Sequence, residues 1–251
     1  RIVVAAAKGD PTAARKLLGT PESPERVAIL AIVGDRGLSG AYNTSVFRAS
    51  ERLATEQRGK GAQVTMFTVG KKAPAYFRFR GIPVQRSFAG MGQRPTFADA
   101  REVAAAVAGP FVAGELDLLL LVSTRYISAG QQVVRTSQLL PLPDPSAGST
   151  DEAEGDSGHL DGYTEFEPDA AKLLAELAPR AVESEIFSAL LEATASFFTA
   201  QQRAMAAATD NADELIRTLS RIMNRARQDS ITTEIMEIVG GAEALRRPKG
   251  A

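Results

Sequence analysis

Residues 180–239 read RAVESEIFSALLEATASFFTAQQRAMAAATDNADELIRTLSRIMNRARQDSITTEIMEIV, 60 positions without a glycine or a proline. At about 1.5 Å per residue, an unbroken helix of this length extends roughly 90 Å, far beyond the diameter of a small domain. Gly240 and Gly241 follow, with Pro248 beyond, and together they predict a stop just past Val239. Within the run, apolar and small residues recur three and four apart: Ile186, Leu190, Ala193, Phe197, Ala200, Ala204 and Ala207. After a phase shift near Asn211, the series continues through Leu215, Leu219, Ile222 and Ala226. Such spacing predicts a coiled-coil seam, and the shift resembles a stutter that locally relaxes a left-handed supercoil. A lone helix would leave this stripe in water and forfeit about 25 cal/mol per Å² of apolar surface, so a second helix is required. No matching run occurs elsewhere in the sequence, which starts at Arg1 and not at Met. Either another chain supplies that helix or it precedes Arg1; the start without Met favours the second, and the expectation is a long helix before Arg1 running antiparallel to residues 180–239.

The first half alternates in character. Residues 26–33 (RVAILAIV) form a short apolar, β-branched run that ends at the glycines of GDRGLSG. A helix is predicted over 41–58, a strand over 64–69, a short helix over 72–80 and a weaker strand over 83–88. Helical spacing returns over 96–112, with Thr96 as N-cap and Asp99 near the positive end of the helix. Residues 116–122 are almost continuously apolar, as in a strand covered on both faces, and 133–142 alternate like an edge strand. This order predicts an α/β layer with a largely parallel sheet. Residues 143–162 (PDPSAGSTDEAEGDSGHLDG) are rich in Gly, Ser, Pro and acid, and are expected to form a mobile acidic loop. The domain reading is therefore a connector over 1–25, an α/β domain from 26–142 and 163–179, the acidic loop between them, a helix over 180–245 and a tail over 246–251.

Composition closes several routes. The formal net charge of −1 provides no global field for nucleic acid or an acidic membrane. Cysteine is absent, which removes disulfides, thiolate nucleophiles and thiolate metal sites. The longest apolar stretch is far short of the roughly 20 residues needed to span a bilayer. His159, the single histidine, lies between Asp156 and Asp161 in a Gly-rich segment that offers a metal little anchorage, and no metal site is expected. No acid–base pair can be argued from spacing anywhere in the chain.

Two segments carry a family resemblance. GDRGLSGAYN at 34–43, directly after the first strand, resembles the D-R-G-L-C/S-G-x-x-N motif of the gamma subunits of F-type ATP synthases. AMAAATDNADELI at 204–216 and NRARQDSITTEIMEIVGGAEAL at 224–245 resemble that family's M-K-A-A-T-D-N-A and N-x-x-R-Q-x-x-I-T-x-E-I-x-E-I-x-x-G-A patterns. The family's lysine is replaced here by Ala206, its long N-terminal helix is not in the sequence, and the acidic loop looks like an insertion. The resemblance implies a Rossmann-like, mostly parallel sheet domain beside an antiparallel coiled coil. It implies a noncatalytic rotor shaft of a bacterial proton-translocating synthase, peripheral on the cytoplasmic face of the cell membrane. Its implied partners are the alpha, beta and epsilon subunits and the membrane c-ring. Mg-ATP and ADP would be bound by those partners, with no cofactor, nucleic acid or transmembrane segment on this chain.

Carried over residue by residue, the resemblance makes Arg227 and Gln228 a polar latch onto a beta-subunit loop, since a guanidinium can grip a carboxylate through two parallel hydrogen bonds. A solvated helix face is the alternative. Arg217, Arg221 and Arg225 fall at i, i+4 and i+8, sharing a face that could meet acidic loops of the hexamer or simply pair with Asp213 and Glu214. Ile231, Ile235, Met236, Ile238 and Val239 make an apolar shaft tip, or ordinary coiled-coil packing. GDRGLSG lies where phosphates often bind, yet it lacks both G-x-G-x-x-G and the Lys-Ser/Thr end of a P-loop. A tight turn presenting Asp35 and Arg36 to neighbours is the preferred reading. Asp151, Glu152, Glu154 and Asp156 could make the acidic loop regulatory by touching a basic neighbour, or the loop is inert. The competing functions are a nucleotide-binding α/β protein with a coiled-coil dimerisation arm and a plain coiled-coil scaffold.

Overall fold

The structure is a computed structural model that describes residue 21, residues 23–142 and residues 170–246. The acidic loop, with Asp151, Glu152, Glu154, Asp156 and His159, lies outside the described residues, as does the predicted connector up to residue 20. By contacts the chain divides into two units, residues 1–202 and 203–251.

The first unit is built on a five-stranded sheet. Its strands are β1 (Arg26–Ile32), β2 (Gln63–Val69), β3 (Val84–Phe88), β4 (Leu118–Tyr126) and β5 (Gln132–Leu140), in the order β3-β2-β1-β4-β5. The first four run parallel, and β5 closes one edge antiparallel to β4. Between the strands come α1 (Tyr42–Gly59), α2 (Lys72–Phe79) and α3 (Phe97–Val112), and the last helix is α4 (Ala170–Arg246). The strand-to-helix alternation read from the sequence is therefore the observed order.

Period-two alternation sorts the core into two layers. Val27, Ile29 and Ala31 of β1 point with Leu118, Leu120 and Val122 of β4 toward Val46 and Phe47 of α1 and Phe77 of α2. Ala28, Leu30 and Ile32 point the other way, with Leu119 and Leu121, toward Val103 and Val107 of α3 and Val182, Ile186 and Leu190 of α4. Helices cover both faces, so the central strands can be apolar at nearly every position. Each fully buried Val, Leu, Ile or Phe contributes about 1.5–3 kcal/mol, which makes this double layer the main source of the unit's stability. Thr96 caps α3 as expected: its hydroxyl accepts from the Asp99 amide at 3.2 Å while the Asp99 carboxylate accepts from the Thr96 amide at 2.7 Å.

Helix α4 differs from its expected limits at both ends. It begins ten residues earlier than Arg180 and winds through Pro179. An interior proline costs about 3 kcal/mol, and burial of Ala178, Val182 and Ile186 on the sheet around it offsets that penalty. Gly240 and Gly241 do not stop the helix, which runs to Arg246. Glycine ends a helix when it turns left-handed, and neither of these is among the residues with positive φ. The predicted seam is also reassigned. Ile186, Leu190, Ala193 and Phe197 are buried within the α/β unit, not held open for another helix. The exposed apolar stripe of the same segment is instead Leu191, Phe198 and Met205, seven residues apart.

The opposite end of the sheet is fastened electrostatically. The Asp117 carboxylate accepts from the amides of Glu25 and Arg26 and from the Arg26 guanidinium, at 2.6 Å from Nη2. The Arg26 guanidinium also donates to the Gly114 carbonyl at 2.6 Å, so this knot ties the starts of β1 and β4 together. The guanidinium bond holds the Asp117 carboxyl below the ordinary carboxylate range. The stabilisation is therefore complete above the unfolded pKa and is lost as pH falls through the lower folded value. Asp117→Asn is expected to cost about 1–2 kcal/mol at neutral pH and to lose this acid-limb dependence, as measured by urea unfolding across pH 2–7.

Candidate functional site

Two surfaces concentrate the residues singled out from the sequence. The first is α4 beyond the α/β unit. No side chain from residue 203 to 245 is buried. Leu215, Ile216, Leu219, Ile222 and Met223 are all more than half exposed, and the five tip residues Ile231, Ile235, Met236, Ile238 and Val239 are exposed as well. A globular surface scatters single apolar residues, but a continuous helical series of this kind marks an interface.

The polar residues of this segment are equally open. Arg225 pairs with Asp229 at 4.0 Å, with side chains 85% and 73% exposed, a geometry worth little in water. Arg221 donates to the Thr218 hydroxyl at 3.3 Å. Arg217 and Arg221 line a surface depression with Asp210, Asp213 and Glu214. The alternative of pairing Arg217 with Asp213 or Glu214 is not realised among the described residues. Arg227 and Gln228 are exposed, and neither side chain makes a hydrogen bond or ion pair among the described residues. The helix thus presents a run of guanidinium groups available to carboxylates, beside an apolar stripe.

The second surface is the loop after β1. Asp35 and Arg36, read together as residues facing neighbours, separate here. The Asp35 carboxylate is directed inward: Oδ1 accepts from the amides of Lys71 at 3.0 Å and Gly90 at 3.3 Å, and Oδ2 from Gly92 at 3.2 Å. It clamps the segments that follow β1, β2 and β3, because parallel strands end side by side and leave amides there without ladder partners. Arg36 is exposed, and its carbonyl accepts from Asn43 Nδ2 at 3.0 Å. The loop's apolar tip is Leu38, left-handed at φ 64° and 73% exposed. Nothing in sequence spacing marks Leu38; its backbone conformation does.

This loop adjoins the place where strand order reverses, between β1 and β4, which is the ligand crevice of open α/β sheets. Here it is packed with side chains. Phe197 of α4 lies over Gly34, edge-on to Tyr42 with ring centres 5.5 Å apart. The Tyr42 hydroxyl donates to the Ala193 carbonyl at 3.0 Å, and burial pushes its pKa up. The remaining cavity, lined by Gly34, Tyr42, Met91, Leu190, Ala193 and Phe197 among others, is about 10 Å³. A ligand site takes hundreds of cubic ångströms, and even one water fills a space of this size. The sequence places Phe197 in an apolar seam but does not reveal its pairing with Tyr42, because the two lie more than 150 residues apart.

The sequence matches the family described as ATP synthase over residues 1–245. It is 41% identical over 252 residues to the ATP synthase gamma chain of Parafrankia sp., covering 97% of this chain and 81% of that one. It is 45% identical over 231 residues to the ATP synthase gamma chain of Streptomyces coelicolor, covering 89% and 74%. The fold is similar to a chain of the Euglena gracilis mitochondrial ATP synthase structure described as OSCP/F1/c-ring, rotational state 3. The TM-score is 0.65 at 20% identity, covering 100% of this chain and 90% of that one.

The inward clamp at Asp35 is directly testable. Asp35→Ala leaves three amides without their acceptor and is expected to cost about 1–3 kcal/mol in chemical unfolding. An unchanged midpoint would return Asp35 to the role of a surface contact.

Proposed function

The chain belongs to the ATP synthase gamma-chain family, and from that premise we propose that it is the noncatalytic rotor shaft of a bacterial proton-translocating synthase. The observation that carries this reading is the stretch of α4 from residue 203 to 245, in which no side chain is buried although its apolar residues are numerous. Such a helix is stable in water only when other chains or segments sheathe it. An antiparallel partner helix covering Leu191, Phe198, Met205 and the stripe beyond would provide one wall, and the alpha and beta subunits of a hexamer the rest.

Within such a sheath, the apolar tip would turn against apolar walls, where few directional bonds oppose rotation. Arg227 and Gln228 would engage a beta-subunit loop by charge-assisted hydrogen bonds at particular angles, with Arg217, Arg221 and Arg225 meeting acidic loops along the way. A shaft position does work only if it contacts the open and closed beta states differently, so these asymmetric polar contacts are what couple angle to nucleotide affinity. Mg-ATP and ADP belong to the partner subunits in this scheme. The filled crevice at the switch point favours it over a nucleotide-binding protein with a dimerisation arm.

The α/β unit serves as the foot, with the epsilon subunit and the membrane c-ring as its partners. No helix among the described residues is long and apolar enough to cross a membrane. Attachment through the ring, at the cytoplasmic face of the cell membrane, would make the chain peripheral. The acidic segment at Asp151, Glu152, Glu154 and Asp156 would be a regulatory contact of the foot.

In the assembled synthase, Arg227→Ala with Gln228→Ala is expected to slow ATP hydrolysis and synthesis together by roughly tenfold, the loss of one or two charge-assisted hydrogen bonds. An unchanged rate, or a chain that never copurifies with a nucleotide-hydrolysing hexamer, would defeat the proposal. Calorimetric titration of the chain with ATP or NAD is expected to show no stoichiometric heat, whereas tight binding would favour the enzyme alternative.

A further inference from the structure

The contacts that hold α4 to the sheet differ in kind along its length. Val182, Ile186, Ala189, Leu190 and Ala193 contribute apolar burial, which resists separation but has no preferred direction. Phe197 is different. It is the last buried side chain of α4, since every described residue beyond it is at least partly exposed. Its ring occupies a slot floored by Gly34, where a Cβ would lie 2.7 Å from Cδ2 and Cε2. One side of that slot is the Tyr42 ring, set edge-on at 80°.

One turn before Phe197, the Ala193 carbonyl receives the Tyr42 hydroxyl at 3.0 Å. In an α-helix that carbonyl also accepts from the amide of residue 197, so the hydroxyl grips the same turn that carries the ring. The slot itself is braced. The Gly34 amide donates to Asn43 Oδ1 at 2.8 Å, and the neighbouring Asp35 carboxylate ties together the segments after β1, β2 and β3.

We infer that Gly34, Tyr42 and Phe197 form a keyed joint that locks α4 against rolling or sliding on the sheet, and through which torque passes between the α/β unit and the shaft helix. They are positioning residues for rotary coupling. The inference rests on the rotor reading above. A ring inserted across the helix axis together with a directional bond opposes rotation in a way the apolar layer alone does not.

The test uses the complete synthase carrying Gly34→Ala, Phe197→Ala or Tyr42→Phe, and reads protons pumped per ATP hydrolysed alongside the hydrolysis rate. A loosened key lets the hexamer turn its helix while the foot lags. Hydrolysis is then expected to persist while the pumping ratio falls roughly twofold or more in the alanine variants and less in Tyr42→Phe. Gly34→Ala and Phe197→Ala are expected to be non-additive, the double variant lying close to Phe197→Ala alone, because the added methyl then loses its 2.7 Å clash with the ring and meets only Asn43 Oδ1, at 3.2 Å. If the alanine variants fail to assemble, Tyr42→Phe decides, since it keeps the ring and removes only the grip. A pumping ratio unchanged in assembled complexes, with activity tracking yield, would overturn the joint and leave these residues as ordinary packing. Failure of the unsubstituted chain to join a hexamer would instead overturn the rotor reading.

Discussion

The seating of α4 in its own α/β unit, from Ala178 to Phe197, is the constraint on which everything else rests. One face of the sheet would otherwise lose much of its cover, because α3 alone shares that layer. The same burial fixes the phase of the helix over this stretch, and therefore which of its residues face outward. Since a helix advances by about 100° per residue, assigning Ile186, Leu190, Ala193 and Phe197 inward assigns Leu191 and Phe198 to a neighbouring stripe with no further choice.

That seating also fills the crevice in which open sheets of this topology hold ligands. Strand order, parallel direction and a glycine-bearing turn after β1 reproduce the frame in which many α/β proteins hold phosphates. What differs is the occupant of the crevice. An aromatic side chain from the last helix fills it, and the acidic residue of the turn is spent on three backbone amides. The frame is kept and its cavity is used for fastening.

Much of this was legible in the sequence, and the parts that were not share a cause. Strands β1 and β4 announced themselves through unbroken apolar runs, and α3 through the Thr96–Asp99 pair, because both signals are local. The long helix was evident from the missing glycines and prolines. Its limits differ from the expected ones because packing or continuity overrides the penalties of Pro179, Gly240 and Gly241, about 3 kcal/mol for the proline and about 1 kcal/mol for each glycine. The stripe from Ile186 to Phe197 has the spacing of a seam because spacing reveals that a face is covered, not by what. The inward role of Asp35 is invisible in the sequence for a related reason: the amides of Lys71, Gly90 and Gly92 are brought to it only by the sheet.

The continuity of α4 through its proline and its paired glycines has a mechanical corollary. An unbroken helix shares an imposed twist among many backbone hydrogen bonds, each distorted only slightly. Compliance is then spread over the turns, and none of them has to melt to absorb it.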